Sequence, residues 1–330
     1  MFVAQPFRTA VSTDDPALRI QAIRTLLRYG LGALWLLDAV LQAQPLMYSY
    51  SFVSSIMTPA LKLNPGFLWH LSDWTVSFIN RNVGMWNWAF VIIQLTIALT
   101  LLTRRRKVVR AGLVLSIFWS LGVWVFGEGM GGTFTTAATL LTGAPGAVIL
   151  YAVIAGFLLM PESWWQLESA VSLPRDFVVI LFLWGAFIQG NPAFWQAGGL
   201  SELLVGNAYM QPGVLQKSIL WIVPFVEHYR IIINVLFILA MLGIALLLFG
   251  PKPRASGYWL LGIFLLLVWW GFQAFGMVFA GMGTDLNTPP LIALLALPGY
   301  VLALHARRSH AAELAVKGER SPARNEAQVH

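Results

Sequence analysis

Cysteine is missing from all 330 residues, and charged residues make up only 11% of them. The first absence removes disulfides, thiolate metal sites and CxxC redox motifs, and leaves the redox compartment without a marker. The second leaves too little polar surface for a water-soluble body. Hydrophobic residues reach 58% and mean hydropathy is +0.71, more apolar surface than a soluble core of this length buries. Other motifs are missing too. No GxxxxGK[ST] string offers a phosphate loop, and no HxxxH spacing offers a metal pair. His70 and His228 fall outside the apolar runs, so a membrane haem lacks axial ligands. Short segments of alternating polarity, the mark of an outer-membrane barrel, do not occur.

What remains is a series of apolar runs, each near the roughly 20 helical residues that cross a hydrocarbon layer. They are Leu26–Gln44, Met85–Leu102, Val108–Phe126, Gly146–Met160, Phe177–Gly190, Arg230–Phe249, Tyr258–Phe279 and Pro290–Leu304. The expected fold is therefore all-α, a polytopic membrane protein of about eight transmembrane helices. A signal peptide is the competing reading of the first run, but the same pattern recurs later in the chain, where no signal peptide sits.

The net charge of +7 belongs to membrane topology, because the basic residues gather beside run ends, as in Arg104-Arg105-Arg106-Lys107 and Arg307-Arg308. That placement excludes a nucleic-acid footprint. With the N-terminus inside, about 17 Lys and Arg fall on one face and about 4 on the other, so a cell membrane location with both termini cytoplasmic is expected. The fifteen tryptophans gather near run ends, as an aromatic belt requires.

Laying the chain against itself with Pro45 on Pro192 exposes an internal repeat. Leu34, Leu36, Ala39 and Gln42 then meet Leu181, Leu183, Ala186 and Gln189. Without a gap, Pro65-Gly66 meets Pro212-Gly213, Trp74 meets Trp221 and Asn87 meets Asn234. With small gaps, Gly129-Met130-Gly131 pairs with Gly281-Met282-Gly283. The expected organisation is a cytoplasmic N-terminal segment (1–25), a first four-helix unit (26–160), a linker (161–176), a second unit (177–306) and a disordered cytoplasmic tail (307–330). Four crossings return the chain to its starting side, so the two units are parallel and a shared site is expected between them. Residues 1–12 read as unstructured, with Asp15-Pro16 capping the helix that follows. The stretches between the first two runs of each unit, Leu46–Gly84 and Ala193–Tyr229, read as amphipathic helices at the outer interface.

Within these runs the few polar groups stand out. Asp38 lies inside the first run, where a carboxylate costs roughly 2.5–3.5 kcal/mol and must face protein or water. Glu128 sits in the glycine-rich Phe126–Gly132 stretch at the outer end of the third run. In the second unit Asp38 corresponds to Gly185, and Glu128 to Met277 or a neighbour. The acids are thus candidate catalytic or proton-carrying groups, set against a structural reading in which they sit at helix ends in contact with interfacial water or pair with Arg81 or Lys62. Gln42, Asn87, Gln189 and Asn234 occur in both units and read chiefly as interhelical stitches, with a ligand role as the alternative. Trp124 and Asp285 complete the candidate ligand contacts, although Asp285 in a turn is equally a helix cap. No metal site is expected.

The entry Leu26-Leu27-Arg28-Tyr29-Gly30-Leu31-Gly32, the long outer segment and the glycine-rich connection resemble the DoxX/DoxD group of bacterial and archaeal membrane proteins. The resemblance covers residues 26–160 and, more weakly, 177–304. It implies an integral membrane subunit of a redox complex, with quinone as a borrowed cofactor, no intrinsic cofactor, and a redox partner subunit beside the lipid bilayer. A small-solute transporter or channel, and a non-catalytic anchor or assembly factor, stay open beside it.

Overall fold

The structure, a computed structural model, describes residues 4–165, 168–250 and 254–320. Among them every regular element is helical and no strand occurs. The α-helices are, in order, α1 Ala4–Ser12, α2 Pro16–Gln42, α3 Thr58–Leu61, α4 Trp69–Asn80, α5 Val83–Leu102, α6 Arg106–Phe126, α7 Ala147–Leu159, α8 Glu162–Trp165, α9 Glu168–Gln189, α10 Ser201–Ala208, α11 Gly213–His228, α12 Arg230–Leu248, α13 Ala255–Gly271 and α14 Thr288–Arg320.

The helix entry works as the residues dictate. The Asp15 carboxylate accepts from the Ala17 N–H at 2.8 Å, and Pro16 supplies the first helical position of α2, where its missing donor costs nothing. Both chain ends depart from expectation. Residues 4–12 form a helix because Ala10 and Val11 find a core to enter, and His305 Nδ1 lies 3.4 Å from the Val11 carbonyl. This contact also places the two ends of the chain on one side of the molecule. The α14 backbone stays helical to Arg320, well past Arg307, through a stretch rich in the helix formers Ala, Glu and Lys. The last part of the expected tail, 321–330, lies outside the described residues.

Helix α2 packs against α5, α6 against α7, and α9 against both α12 and α14, while α14 reaches back to α2 and α7. One apolar core runs through the whole assembly, from Leu27 and Ile97 to Met241 and Leu295. Large apolar side chains point outward on the same helices, including Phe187, Leu246, Phe118 and Trp259, each at least two-thirds exposed. A surface of that kind suits hydrocarbon.

Among the described residues five helices are long and apolar enough to cross a membrane: Val83–Leu102, Arg106–Phe126, Ser172–Gln189, Arg230–Leu248 and Thr288–Ser309. A sixth forms if Ala255–Gly271 and Ala274–Ala280, bent by 44° at their break, are counted as one. The first and fourth expected spans are the shortfall. Helix α2 carries Arg19, Arg24, Arg28 and Asp38 along its length. Helix α7 has 13 residues, about 20 Å at 1.5 Å each, against a hydrocarbon layer of about 30 Å.

At the end away from the termini, helical segments follow α2 and α9. Residues 52–57 form a π-helical turn that runs into α3, and Met47, Phe52, Val53, Met57, Leu61 and Ile79 make a second, smaller core there. The other such segment is pinned by Glu227, which accepts from Ser201 Oγ at 2.6 Å and from the Gly198 N–H at 3.1 Å, with Arg230 at 3.8 Å. These bonds, the Ser201 hydroxyl foremost, hold its pKa below the ordinary carboxylate value. A lowered folded pKa contributes stability that is fully present above the unfolded value and is lost as pH falls through the folded one. Ser201→Ala should therefore lower the thermal midpoint at neutral pH and make no difference at a pH where Glu227 is protonated. Equal losses at both pH values would show that the hydroxyl acts by packing alone.

Candidate functional site

A cavity of about 340 Å³ opens at the end of the bundle away from the termini. Helices α2, α4, α5 and α6 form its walls, and the loop before α14 closes one side. Its surface is aromatic. Trp74 stacks on Phe78 with ring centroids 5.0 Å apart, Phe78 meets Trp86 at 4.6 Å, and Phe90 meets Trp119 at 5.6 Å. Into this ring of π-faces come Asp38, Glu128 and Asp285, with no Lys, Arg or His among the described lining residues.

Asp38 is the deepest acid, 2% exposed, and its Oδ1 makes no hydrogen bond within the chain. The Tyr151 hydroxyl lies beside it and is likewise without a well-formed bond. Tyr151 is held by Trp35, at 4.4 Å between ring centroids, and Trp35 Nε1 donates to Ser116 Oγ at 2.9 Å. Two further polar atoms at the cavity wall, Gln94 Oε1 and Trp119 Nε1, are buried without a partner in the chain. Buried polar atoms ordinarily find a partner, so three around one cavity mark a place that a ligand or water completes.

Glu128 and Asp285 are half-buried nearer the mouth. The α7 N-terminus faces Glu128: the Val148 N–H lies 3.4 Å from each carboxylate oxygen, and Gly146, at φ +111°, keeps the approach open. Trp124 braces this corner from outside the cavity by donating to the Pro145 carbonyl at 2.6 Å. Asp285 is shaped by its own turn, accepting from Thr284 Oγ1 at 3.0 Å and the Asn287 N–H at 2.6 Å. Both acids lie beyond the spanning helices, and burial pushes both pKa values up. For Glu128 the neighbouring Asp285 charge adds to the rise. Among the described residues no ion pair joins Asp38 or Glu128 to Arg81 or Lys62, so the purely structural pairing is not present. Nor do three acids or imidazoles there stand close enough to hold one metal ion.

The paired amides behave as stitches in both halves. Gln42 Nε2 donates to Asn87 Oδ1 at 2.5 Å, and Asn87 Nδ2 returns to the Gln42 carbonyl at 2.9 Å. Gln189 and Asn234 make the same pair of bonds, at 2.8 and 3.4 Å. Only Gln42 also lines the cavity; Asn87, Gln189 and Asn234 do not. Replacing Gln42 or Gln189 by leucine should each remove about 1–2 kcal/mol of stability. Thermal unfolding of the two variants in detergent checks this, and only Gln42→Leu should also weaken a ligand in the cavity.

The glycine-rich connection turns the wrong way for an ordinary helix. Gly129, Met130, Gly131 and Gly132 all have φ between +54° and +65°. The same left-handed turn recurs at Ala274, Phe275, Gly276 and Met277. Its flanking bonds recur as well: the Glu128 N–H reaches the Val123 carbonyl and the Gln273 N–H reaches that of Val268. The Gly131 and Gly276 N–H groups then bond the carbonyls of Glu128 and Gln273. Gln273, not Met277, therefore takes the place of Glu128, and its Oε1 accepts from the Thr288 N–H at the start of α14, at 3.2 Å. The gapped alignment of glycines put the correspondence a few residues late, because the second turn carries one glycine in place of three.

The cavity is shared unevenly between the two halves of the chain. The cavity belongs to α2–α6, and the other half contributes chiefly Thr284 and Asp285. In the opposite direction Leu140 lies over Gly185, where an added Cβ would overlap it, and Thr139 Oγ1 donates to Gln189. Gln273 Nε2 holds that incoming loop through the carbonyls of Leu140 and Leu141, each at 3.2 Å. Sequence reasoning missed Gln94, Trp119, Tyr151 and Gln273. Gln94 alone carried a visible signal, an amide in the middle of an apolar run.

No family model matches this chain, and no curated protein or solved structure is significantly similar to it.

Proposed function

We propose that the chain is an eight-span protein of the cell membrane with both termini cytoplasmic, built from two parallel four-helix units and resembling the DoxX/DoxD group. The repeated Gln–Asn pairs and left-handed turns support the duplication. In this reading the short α7 is completed by the turn before it, and α2 crosses with its arginines at the inner surface.

The protein serves as the membrane subunit of a redox system and holds a quinol in the outward cavity. One observation carries this: unpartnered Asp38, Gln94 and Trp119 atoms, with Glu128 and Asp285 nearby, surround a slot walled by flat rings. A quinol needs apolar faces for its ring, acceptors for its hydroxyl protons and a donor for the quinone oxygen that replaces them. Asp38 would take the first proton and Glu128, nearer the mouth, would release it to the outer water. Two protons leave by this route, and two electrons pass to the redox centre of a partner subunit.

Titrating the purified protein with a short-chain benzoquinol should quench tryptophan fluorescence saturably, since Trp35, Trp74, Trp86 and Trp119 line the cavity. Asp38→Asn should weaken that binding by about tenfold, the worth of one hydrogen bond to a charged group. Linear, unsaturable quenching would remove the quinol from consideration. The absence of basic lining residues favours a second reading, a transporter of a small organic cation held by π-faces and carboxylates. Saturable quenching by a tetraalkylammonium ion, and none by the quinol, would select it.

A further inference from the structure

At the end of the bundle that carries the termini, a groove of about 470 Å³ runs between α2, α6 and the last turn of α7. Arg24 and Arg28 lie one turn apart on α2, and Arg106 and Arg110 one turn apart on α6, so each pair projects from one helix face into the same groove. Arg24 is fixed within the protein, reaching the Leu158 carbonyl at 3.5 Å and lying over the Trp165 ring. Arg28 differs: its guanidinium sits over the Tyr29 ring at 4.6 Å, and its buried Nε makes no hydrogen bond in the chain.

The groove is two-sided in chemistry. Between the arginines its floor is Val109 and Leu113, and from Arg110 a second depression continues along α6 over Val114 to Phe118, on the surface suited to hydrocarbon. Guanidinium forks match phosphate oxygens, and the apolar track begins where the charges end.

We propose that this groove is a binding site for an anionic phospholipid, with the phosphate diester held by Arg28 and Arg110 and an acyl chain laid along α6. Arg24 and Arg106 line the same groove. The site is separate from the aromatic cavity and stands whatever ligand that cavity takes. A free phosphate shares the headgroup chemistry but leaves the apolar track unused.

Native mass spectrometry of the full chain in detergent, offered equimolar dioleoylphosphatidylglycerol and dioleoylphosphatidylcholine, tests the assignment. One phosphatidylglycerol per chain should be retained, at least about fivefold over phosphatidylcholine, since each arginine near such a headgroup contributes about 1 kcal/mol. Arg28→Gln with Arg110→Gln should bring the two lipids to parity, and millimolar inorganic phosphate should not displace the phosphatidylglycerol. Equal retention of both lipids by the wild-type chain would overturn the proposal without recourse to any variant. An unchanged preference in the double variant, or displacement by phosphate, would overturn it as well.

Discussion

Gly131→Ala is expected to remove at least about 3 kcal/mol of stability, enough to unfold the end of the bundle away from the termini. Two effects add at this residue. Its φ of +61° lies in the left-handed region, where a Cβ costs roughly 1–2 kcal/mol. The new carbon would also overlap the Pro145 carbonyl and the Gly146 nitrogen, which are backbone atoms and have no rotamer by which to yield. Gly156→Ala, in the middle of α7 with nothing within 4 Å of the added carbon, is the matched control. It should be neutral or stabilising by up to about 1 kcal/mol. Thermal midpoints of the two variants in the same detergent decide the matter. Similar midpoints would mean that the turn relaxes, and that the position of Glu128 does not depend on it.

The second expected result is a dissociation of fold from function at Glu128. Glu128→Gln should insert and fold, because glutamine already occupies the equivalent backbone position at Gln273 and caps α14 from there. It should abolish proton release and remove the pH dependence of ligand binding. Stability supplies an independent reading. Burial first, and then Asp285, push the Glu128 pKa up. A raised carboxylate value means that stability is greatest where the group is protonated in both states. It falls as pH rises from the unfolded value to the folded one and stays lower above it. Glutamine escapes that loss, so the variant should gain on the wild type across this range and hold a constant lead above it. A variant that retains full pH-dependent binding would exclude Glu128 from the chemistry.

Most of the helices were legible because long apolar runs and their flanking arginines are local features, and Asp38, Gln42 and Asn87 stood out as polar residues in apolar surroundings. The recurrence of Gln, Pro-Gly, Trp and Asn at one register was visible for the same reason. Where the sequence misled, the cause was tertiary. Phe7, Ala10 and Val11 look like part of a loose end until α14 supplies a wall for them. Gln273 was hidden because the turn that aligns it with Glu128 is defined by backbone sign and not by residue type. Trp119 and Tyr151 carry no local signal, and only the packing shows that the Trp119 N–H has no partner and that the Tyr151 hydroxyl lies beside a carboxylate. The weight of the cavity on α2–α6, with Thr284 and Asp285 arriving from the other half, followed from loops that no local pattern announces.

Those loops travel in opposite directions, Asp285 toward Asp38 and Leu140 toward Gly185. The two halves of the chain are complementary and not interchangeable. A symmetric pair of first halves would drive Leu140 onto the Asp38 carboxylate, and a pair of second halves would bring Asp285 to a place that offers only Gly185. Severing the polypeptide between them should yield fragments that recover a working site only when mixed with each other, so one molecule carries one such site.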